Sequence, residues 1–305
     1  MKMKTRIFKV ITAIIGVVAM LIVAGCGSSN DNDKTVGFVV STLDNPFFVS
    51  MKNGAEETAK AEGYKVITLD SRNDPARELS NVQDLVTKNI KVIIINPTDS
   101  QAVSNAVKYA NQHGVEIITL DRTADSGKVL SHIESNNVAG GKMAAQYMID
   151  RLNNSGKIIE LQGIPGASAS KERGQGFDTE MATSDIKIVA KQPANFDRTQ
   201  GLNVTQNLLQ SNPDVNGIFA QNDEMALGAM RAIEEAGKKH IILIGFDGTK
   251  EGINAVKAGK MAATIAQQPY LMGELGVEAA IKFLRGEKVN PHIVVPLRLV
   301  TQSNA

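Results

Sequence analysis

The chain has 305 residues, 33 of them Lys or Arg and 32 Asp or Glu, for a formal net charge of +1. No charge run stands out, so nothing marks a nucleic-acid surface, and a single cysteine excludes an internal disulfide. Hydrophobic residues make up 43% of the chain, enough for well-formed cores, and the length calls for two domains or one large α/β unit.

The first element is a leader. Lys2, Lys4, Arg6 and Lys9 precede an uncharged, mostly apolar stretch from Val10 to Gly25, and Cys26 follows. A basic flank, a short apolar run and small residues before the break are the marks of an export signal. The run is shorter than the ~20 apolar residues of a membrane span. Val23-Ala24-Gly25-Cys26 looks like a bacterial lipobox, where the thiol takes a diacylglyceryl group and the chain is cut just before it. On this reading residues 1–25 are a signal peptide and residues 26–34 are the lipidated cysteine with a flexible tether. Lipidation would also remove an unpaired thiol, and two acyl chains anchor stably where one is marginal. Loss of the four leader bases takes the net charge from +1 to −3, which argues further against nucleic acid as a partner.

Strand and helix then alternate. Short apolar runs occur at Thr35–Val40, Lys65–Leu69, Val92–Ile95, Val115–Leu120, Lys157–Leu161, Ile186–Ala190, Gly217–Ala220, Ile241–Ile244 and Met261–Ala266, and read as buried parallel strands. Amphipathic stretches at Pro46–Glu62, Pro75–Lys88, Ser100–Gln112, Val138–Asn153, Arg198–Gln210 and Asp223–Ala236 predict helices between them. This order specifies an α/β fold of doubly wound parallel sheets, in which ligands sit beyond the carboxyl ends of the strands. The spans Asn96 to Asp121 and Asn222 to Asp247 are both 25 residues and each holds one helix and one strand, which reads as a weak internal repeat of two similar lobes.

The strand ends and nearby loops offer Asn45, Phe47, Phe48, Asp121, Arg122, Arg173, Phe196, Asn222, Asp247 and Gln267. Carboxylates and amides can engage neighbouring hydroxyls through two atoms, Arg donates in a rigid fork, and Phe offers flat apolar faces. That mixture suits a sugar. Catalysis fits less well. The four histidines show no metal-ligand spacing, no nucleophile elbow or phosphate-loop lysine is present, and no DxDxDG calcium loop occurs. No metal and no cofactor are expected. Gly163-Ile164-Pro165-Gly166 reads as a turn opening a helix near Ser168 rather than a phosphate loop. Helix capping competes for several of these residues. Asp223 reads as an N-cap, Asn45 ahead of Pro46 could be one, and Asp121 and Asp247 could cap as well. Phe47 and Phe48 are adjacent and cannot share one side of a helix, so at least one is expected to point out of the core.

Several segments resemble the periplasmic-type sugar-binding proteins of ATP-binding-cassette importers over about Thr35 to Gln302. They include VVSTLDNPFFVSMKNGA (Val39–Ala55), ITLDR (Ile118–Arg122), ELQGIPGASASKERGQGF (Glu160–Phe177), FAQNDEMALGAMRAI (Phe219–Ile233), GFDGT (Gly245–Thr249) and AATIAQQP (Ala262–Pro269). The resemblance implies two doubly wound lobes joined by a three-stranded hinge, one of 35–135 plus 268–296 and the other of 136–267 plus 297–305. It implies no enzymatic activity. All ten residues above match the family's sugar-site positions in type, with Phe196 opposing the rings of Phe47 and Phe48 and with Gln267 at the hinge. Where the family has Asn-Asn-Pro this chain has Asp44-Asn45-Pro46, and Lys171 falls outside the sugar contacts. The implied partners are D-ribose and the importer's membrane permease, with allose, xylose, galactose or a furanosyl signal as alternative ligands. A lipid-anchored monomer outside the cytoplasm is expected, and contact with a chemoreceptor is compatible with transport. A sugar-responsive repressor of the same fold would carry a helix-turn-helix where this chain has its leader.

Overall fold

The computed structural model describes residues 34–238 and 240–305, so the export signal, Cys26 and the tether lie outside the described residues. Two six-stranded sheets organise the chain. The first takes β1 (Thr35–Val40), β2 (Lys65–Asp70), β3 (Val92–Ile95), β4 (Glu116–Leu120), β5 (Ser131–Ser135) and β11 (His292–Val295), in the order β2-β1-β3-β4-β5-β11. The second takes β6 (Lys157–Gln162), β7 (Lys187–Pro193), β8 (Gly217–Ala220), β9 (Ile242–Asp247), β10 (Ala263–Ala266) and β12 (Arg298–Thr301), in the order β7-β6-β8-β9-β10-β12. The two orders correspond strand for strand. All pairings are parallel except that of β10 with β12.

Nine helices are present among the described residues: α1 (Pro46–Ala61), α2 (Pro75–Thr87), α3 (Val103–Gln112), α4 (Asn137–Arg151), α5 (Ser168–Met181), α6 (Arg198–Ser211), α7 (Asp223–Glu235), α8 (Lys250–Lys257) and α9 (Pro269–Leu284). None is long and apolar enough to cross a membrane. The alternation of β1 explains its burial on both faces. Val36, Phe38 and Val40 pack with Met51, Met272 and Val277 from α1 and α9, while Val39 packs with Val82, Leu85 and Val103 from α2 and α3. Each large side chain so buried contributes ~1.5–3 kcal/mol. Helices α1 and α9 touch at glycines. A Cβ on Gly54 would lie 2.1 Å from Tyr270 O, and one on Gly273 would lie 1.9 Å from Met51 O, so no side chain fits there.

Helix α3 starts three residues later than its periodicity suggests. Asp99 Oδ1 accepts from Gln101 N and Ala102 N at 2.9 and 2.8 Å, which holds residues 100–102 as a turn. The chain passes from the first sheet to the second after β5, back after β10, and across again between β11 and β12. Gln268 Nε2 donates to Pro296 O at 3.1 Å and so ties two of the crossings together.

Candidate functional site

The topology gathers the carboxyl ends of both sheets at one cleft. Asp121 follows β4 and Asp247 ends β9, equivalent strands in the two sheets, and both adopt positive φ, 65° and 117°. Phe196 does the same at 59°. Such backbone costs of order 1–3 kcal/mol and persists where the surroundings over-determine it. Neither Asp121 nor Asp247 caps a helix: no helix begins between β4 and β5, and Thr249 is the N-cap of α8.

A cavity of about 230 Å³ lies between the sheets, lined by Asn45, Phe47, Phe48, Asp121, Arg122, Ala169, Arg173, Phe196, Asn222 and Asp247. Nine of the ten residues singled out from the sequence therefore meet in one place. Gln267 stands one step behind, donating through Nε2 to Asp247 Oδ1 at 2.8 Å. Ala169 escaped notice because it carries no polar group, and its only signal is its place one helical turn before Arg173. A wider space of about 720 Å³ adjoins at the mouth, sharing Asn45, Phe48, Arg122 and Phe196 and bordered by Asp44 and Arg198. Lys171 is exposed.

Charge at the cavity is balanced by alternation. Arg173 Nη1 lies 3.6 Å from Asp247 Oδ1 and its Nη2 lies 4.0 Å from Asp121 Oδ1, while Arg122 Nε is 3.5 Å from Asp121 Oδ2. All four side chains are nearly fully buried. Burial pushes the Asp247 carboxyl well above the usual range, with Arg173 opposing the shift, and burial pulls the Arg122 guanidinium down, with Asp121 opposing. The Arg122 guanidinium carbon sits 5.2 Å from the Phe48 ring centre and 5.3 Å from that of Phe196, within cation–π range of both. The Phe196 ring lies against Gly163, where a Cβ would come within 2.0 Å of it.

Three sequence expectations need correction. Phe47 and Phe48 are both buried, each 4% exposed, with rings edge to face at 5.2 Å. Both rings belong to the first sheet's core cluster and also line the cavity, whose other residues include Ala169, Arg173 and Phe196 from the second sheet's side. The N-cap of α7 is Asn222, whose Oδ1 accepts from Met225 N at 2.9 Å, and not Asp223. Asp223 is instead fully buried and accepts from Thr249 N, Thr249 Oγ1 and Thr264 Oγ1 at 2.7, 3.0 and 2.7 Å. Burial pushes its carboxyl up to about 6. The counterpart of Asn96 is Gln221 rather than Asn222, because Asn96 N donates to Val39 O and Gln221 N to Leu161 O at equivalent strands. Asn96 does not reach the cavity. Its amide accepts from Ser41 Oγ at 2.6 Å and donates to Leu120 O at 3.1 Å.

Asn45 and Asn222 combine two roles. Asn45 Oδ1 caps α1 by accepting from Phe47 N at 2.9 Å, and Asn222 Nδ2 also donates to Phe196 O at 3.2 Å. Both still line the cavity. Asp121 Oδ1, Arg122 Nε and Gln267 Oε1 are buried and find no hydrogen-bond partner within the chain. Two of these atoms accept and one donates. A hydroxyl can answer either kind, whereas a purely anionic or purely cationic ligand cannot.

The cleft is closed. Ser100 N donates to Gly166 O at 3.1 Å, Ser168 N to Ser100 Oγ at 3.1 Å, and Thr123 N to Ser168 Oγ at 3.0 Å, so three bonds join loops of the first sheet to the start of α5. Among the described residues no His, Cys, Asp or Glu cluster could hold a metal ion.

Residues 36–288 match the periplasmic binding protein domain. The chain is 53% identical over 284 residues to the ribose import binding protein RbsB of Haemophilus influenzae, covering 93% of this chain and 97% of the relative. It is 55% identical over 268 residues to the protein of the same name from Escherichia coli, covering 88% and 90%. A crystal structure of an ABC transporter periplasmic solute binding protein from Actinobacillus succinogenes with bound D-allose superposes with a TM-score of 0.84 at 34% identity, covering 88% of this chain and 98% of that one.

Proposed function

The chain belongs to the periplasmic binding protein family, and on that premise we propose that it captures D-ribose outside the cytoplasm and delivers it to the permease of an ATP-binding-cassette importer. It is a solute-binding protein and not an enzyme. The observation that carries the choice of a sugar is the closed cavity, where two carboxylates, two guanidiniums and three Phe rings line one small space. Hydroxyls would take up the unpaired oxygens of Asp121 and Gln267 and the Nε of Arg122. Asn45, Phe47, Phe48, Asp121 and Arg122 act from one lobe, Arg173, Phe196, Asn222 and Asp247 from the other, and Gln267 from the hinge.

We take one lobe as residues 35–135 plus 268–296 and the other as 136–267 plus 297–305. A sugar that touches both stabilises closure, because its full contact set exists only in the closed form. Hydrogen bonds to charged groups contribute ~1.5–3 kcal/mol each. A few of them support a Kd of ~1 μM or tighter, equivalent to about −8 kcal/mol. In a thermal melt, D-ribose at a thousand times its Kd should stabilise the protein by about 4 kcal/mol. Xylose, allose and galactose should do less. A melt unmoved by D-ribose but raised by one of the others would reassign the ligand.

Cys26 is proposed as the lipid attachment site that holds this monomer at the outer face of the cell membrane, with the closed lobes also free to meet a chemoreceptor. Cys26→Ser should abolish incorporation of labelled palmitate in growing cells. Undiminished labelling of that variant would remove the anchor from the account.

A further inference from the structure

Two buried glutamates, neither lining the cavity, stand behind the two arginines that do. Glu78 on α2 has no exposed surface, and its Oε1 and Oε2 accept from Thr98 N and Thr98 Oγ1 at 2.9 and 3.2 Å. The Pro97–Thr98 peptide held in this way supplies the main carbonyl used by Arg122, whose Nη1 donates to Pro97 O at 2.9 Å and, in the next peptide, to Thr98 O at 3.5 Å. The second lobe repeats the arrangement with different parts. Glu160 on β6, also without exposed surface, accepts from Gln221 Nε2 at 2.7 Å. Gln221 Oε1 is fixed from the other side by Gly163 N and Ser170 Oγ at 2.9 and 2.7 Å, and Gln221 O accepts from Arg173 Nη1 at 2.7 Å.

Burying a carboxylate is costly, and apolar replacements of buried ionic groups are often more stable. The cost is visible at both sites, since burial pushes Glu78 up to about 7 and raises Glu160 as well. Only Glu160 has a nearby lysine, with Lys191 Nζ at 3.4 Å from its Oε2. What both glutamates have in common is the carbonyl-held arginine. We propose that Glu78 and Glu160 are positioning residues for ligand binding, each fixing a backbone carbonyl that aims one arginine into the cavity, Glu78 for Arg122 and Glu160 for Arg173. An arginine loses rotamer freedom when it grips a ligand, and a carbonyl already in place lets that loss occur on folding instead. Each relay lies within one lobe, so it keeps its arginine aimed while the cleft is open.

The inference rests on the reading that the cavity takes D-ribose, and the test separates the two. Calorimetry with D-ribose on the full chain compares Glu78→Met, Glu160→Met, Arg122→Lys, Arg173→Lys and the double variants. Each glutamate change alone should weaken binding about tenfold, the scale of one net hydrogen bond. Repeated in the background of its own arginine variant, it should cost under about twofold, while in the background of the opposite arginine it should keep its full effect. A merely structural role would give the same factor in every background and would overturn the proposal, as would unchanged affinity in either glutamate variant. Failure of the wild-type protein to bind D-ribose would sink the ligand reading instead. If melting shows that Glu78→Met does not fold, Thr98→Val, which removes the Oγ1 bond to Glu78 and leaves the N–H bond, must show the same dependence on background.

Discussion

Arg173→Met should weaken D-ribose binding a hundredfold or more. Arg173 is the charge that lies between the two lobes' carboxylates, 3.6 Å from Asp247 of its own lobe and 4.0 Å from Asp121 of the other. Methionine keeps an unbranched apolar stem and removes the guanidinium with its charge. Two buried carboxylates would then face each other across the cleft. Removing one member of a buried ionic group costs ~3–5 kcal/mol, and each 1.4 kcal/mol is about tenfold in affinity. Asp121 and Arg173 come from different sheets, so on the proposed clamshell closure much of this cost falls on the closed form. The variant should therefore fold and yet stay open when sugar is added. Titration calorimetry reads the affinity and small-angle scattering reads the closure. A loss below tenfold with normal compaction would mean that the guanidinium is not what reconciles the two acids.

Asp121→Ala and Asp247→Ala should each lose at least ~2 kcal/mol of binding, about thirtyfold, because sugar hydroxyls would be left unpaired in a dry site. The two losses have different makeups. Asp121 Oδ1 has no hydrogen-bond partner within the chain, so its removal is felt mainly through the ligand and through Arg122. Asp247 Oδ1 also accepts from Gln267 Nε2, so its removal orphans an internal donor and disturbs the crossing at residues 267–268. Asp247→Ala should accordingly lower the melting temperature of the sugar-free protein more than Asp121→Ala does. Near wild-type affinity in both variants by calorimetry would take the pair out of contact with the ligand.

Much of the fold was legible because parallel strands buried on both faces are written as continuous apolar runs. β1, β3 and β8 have no exposed residue, and their sequences admit little else. The strands that escaped are those whose neighbours, not their composition, make them strands. Ser131–Ser135 has a single aliphatic residue and alternates buried with half-buried positions, while β11 and β12 are four residues long at the sheet edges. The candidate site was legible for a related reason. A polar residue directly after an apolar run is conspicuous, and Asp121 and Asp247 are of that kind.

What the sequence hides is what lies behind the first contacts. Glu78 in a charged amphipathic helix reads as a solvated residue, and only the fold turns it inward to Thr98. The choice between Asn222 and Asp223 as helix cap turned on a one-residue offset that both side chains could satisfy by type. Likewise, the adjacency of Phe47 and Phe48 forbids a shared helix face, but it cannot say that the far face is roofed by another lobe.

The first sheet draws α9 and β11 from the far end of the chain, and α9 meshes with α1 where Gly54 and Gly273 permit contact. During synthesis, then, the lobe begun at residue 35 lacks its closing strand until residue 295 has been joined. Pairing across so long a separation in sequence is slow. The growing polypeptide therefore emerges with the edge strands of both halves, β11 and β12, still to come.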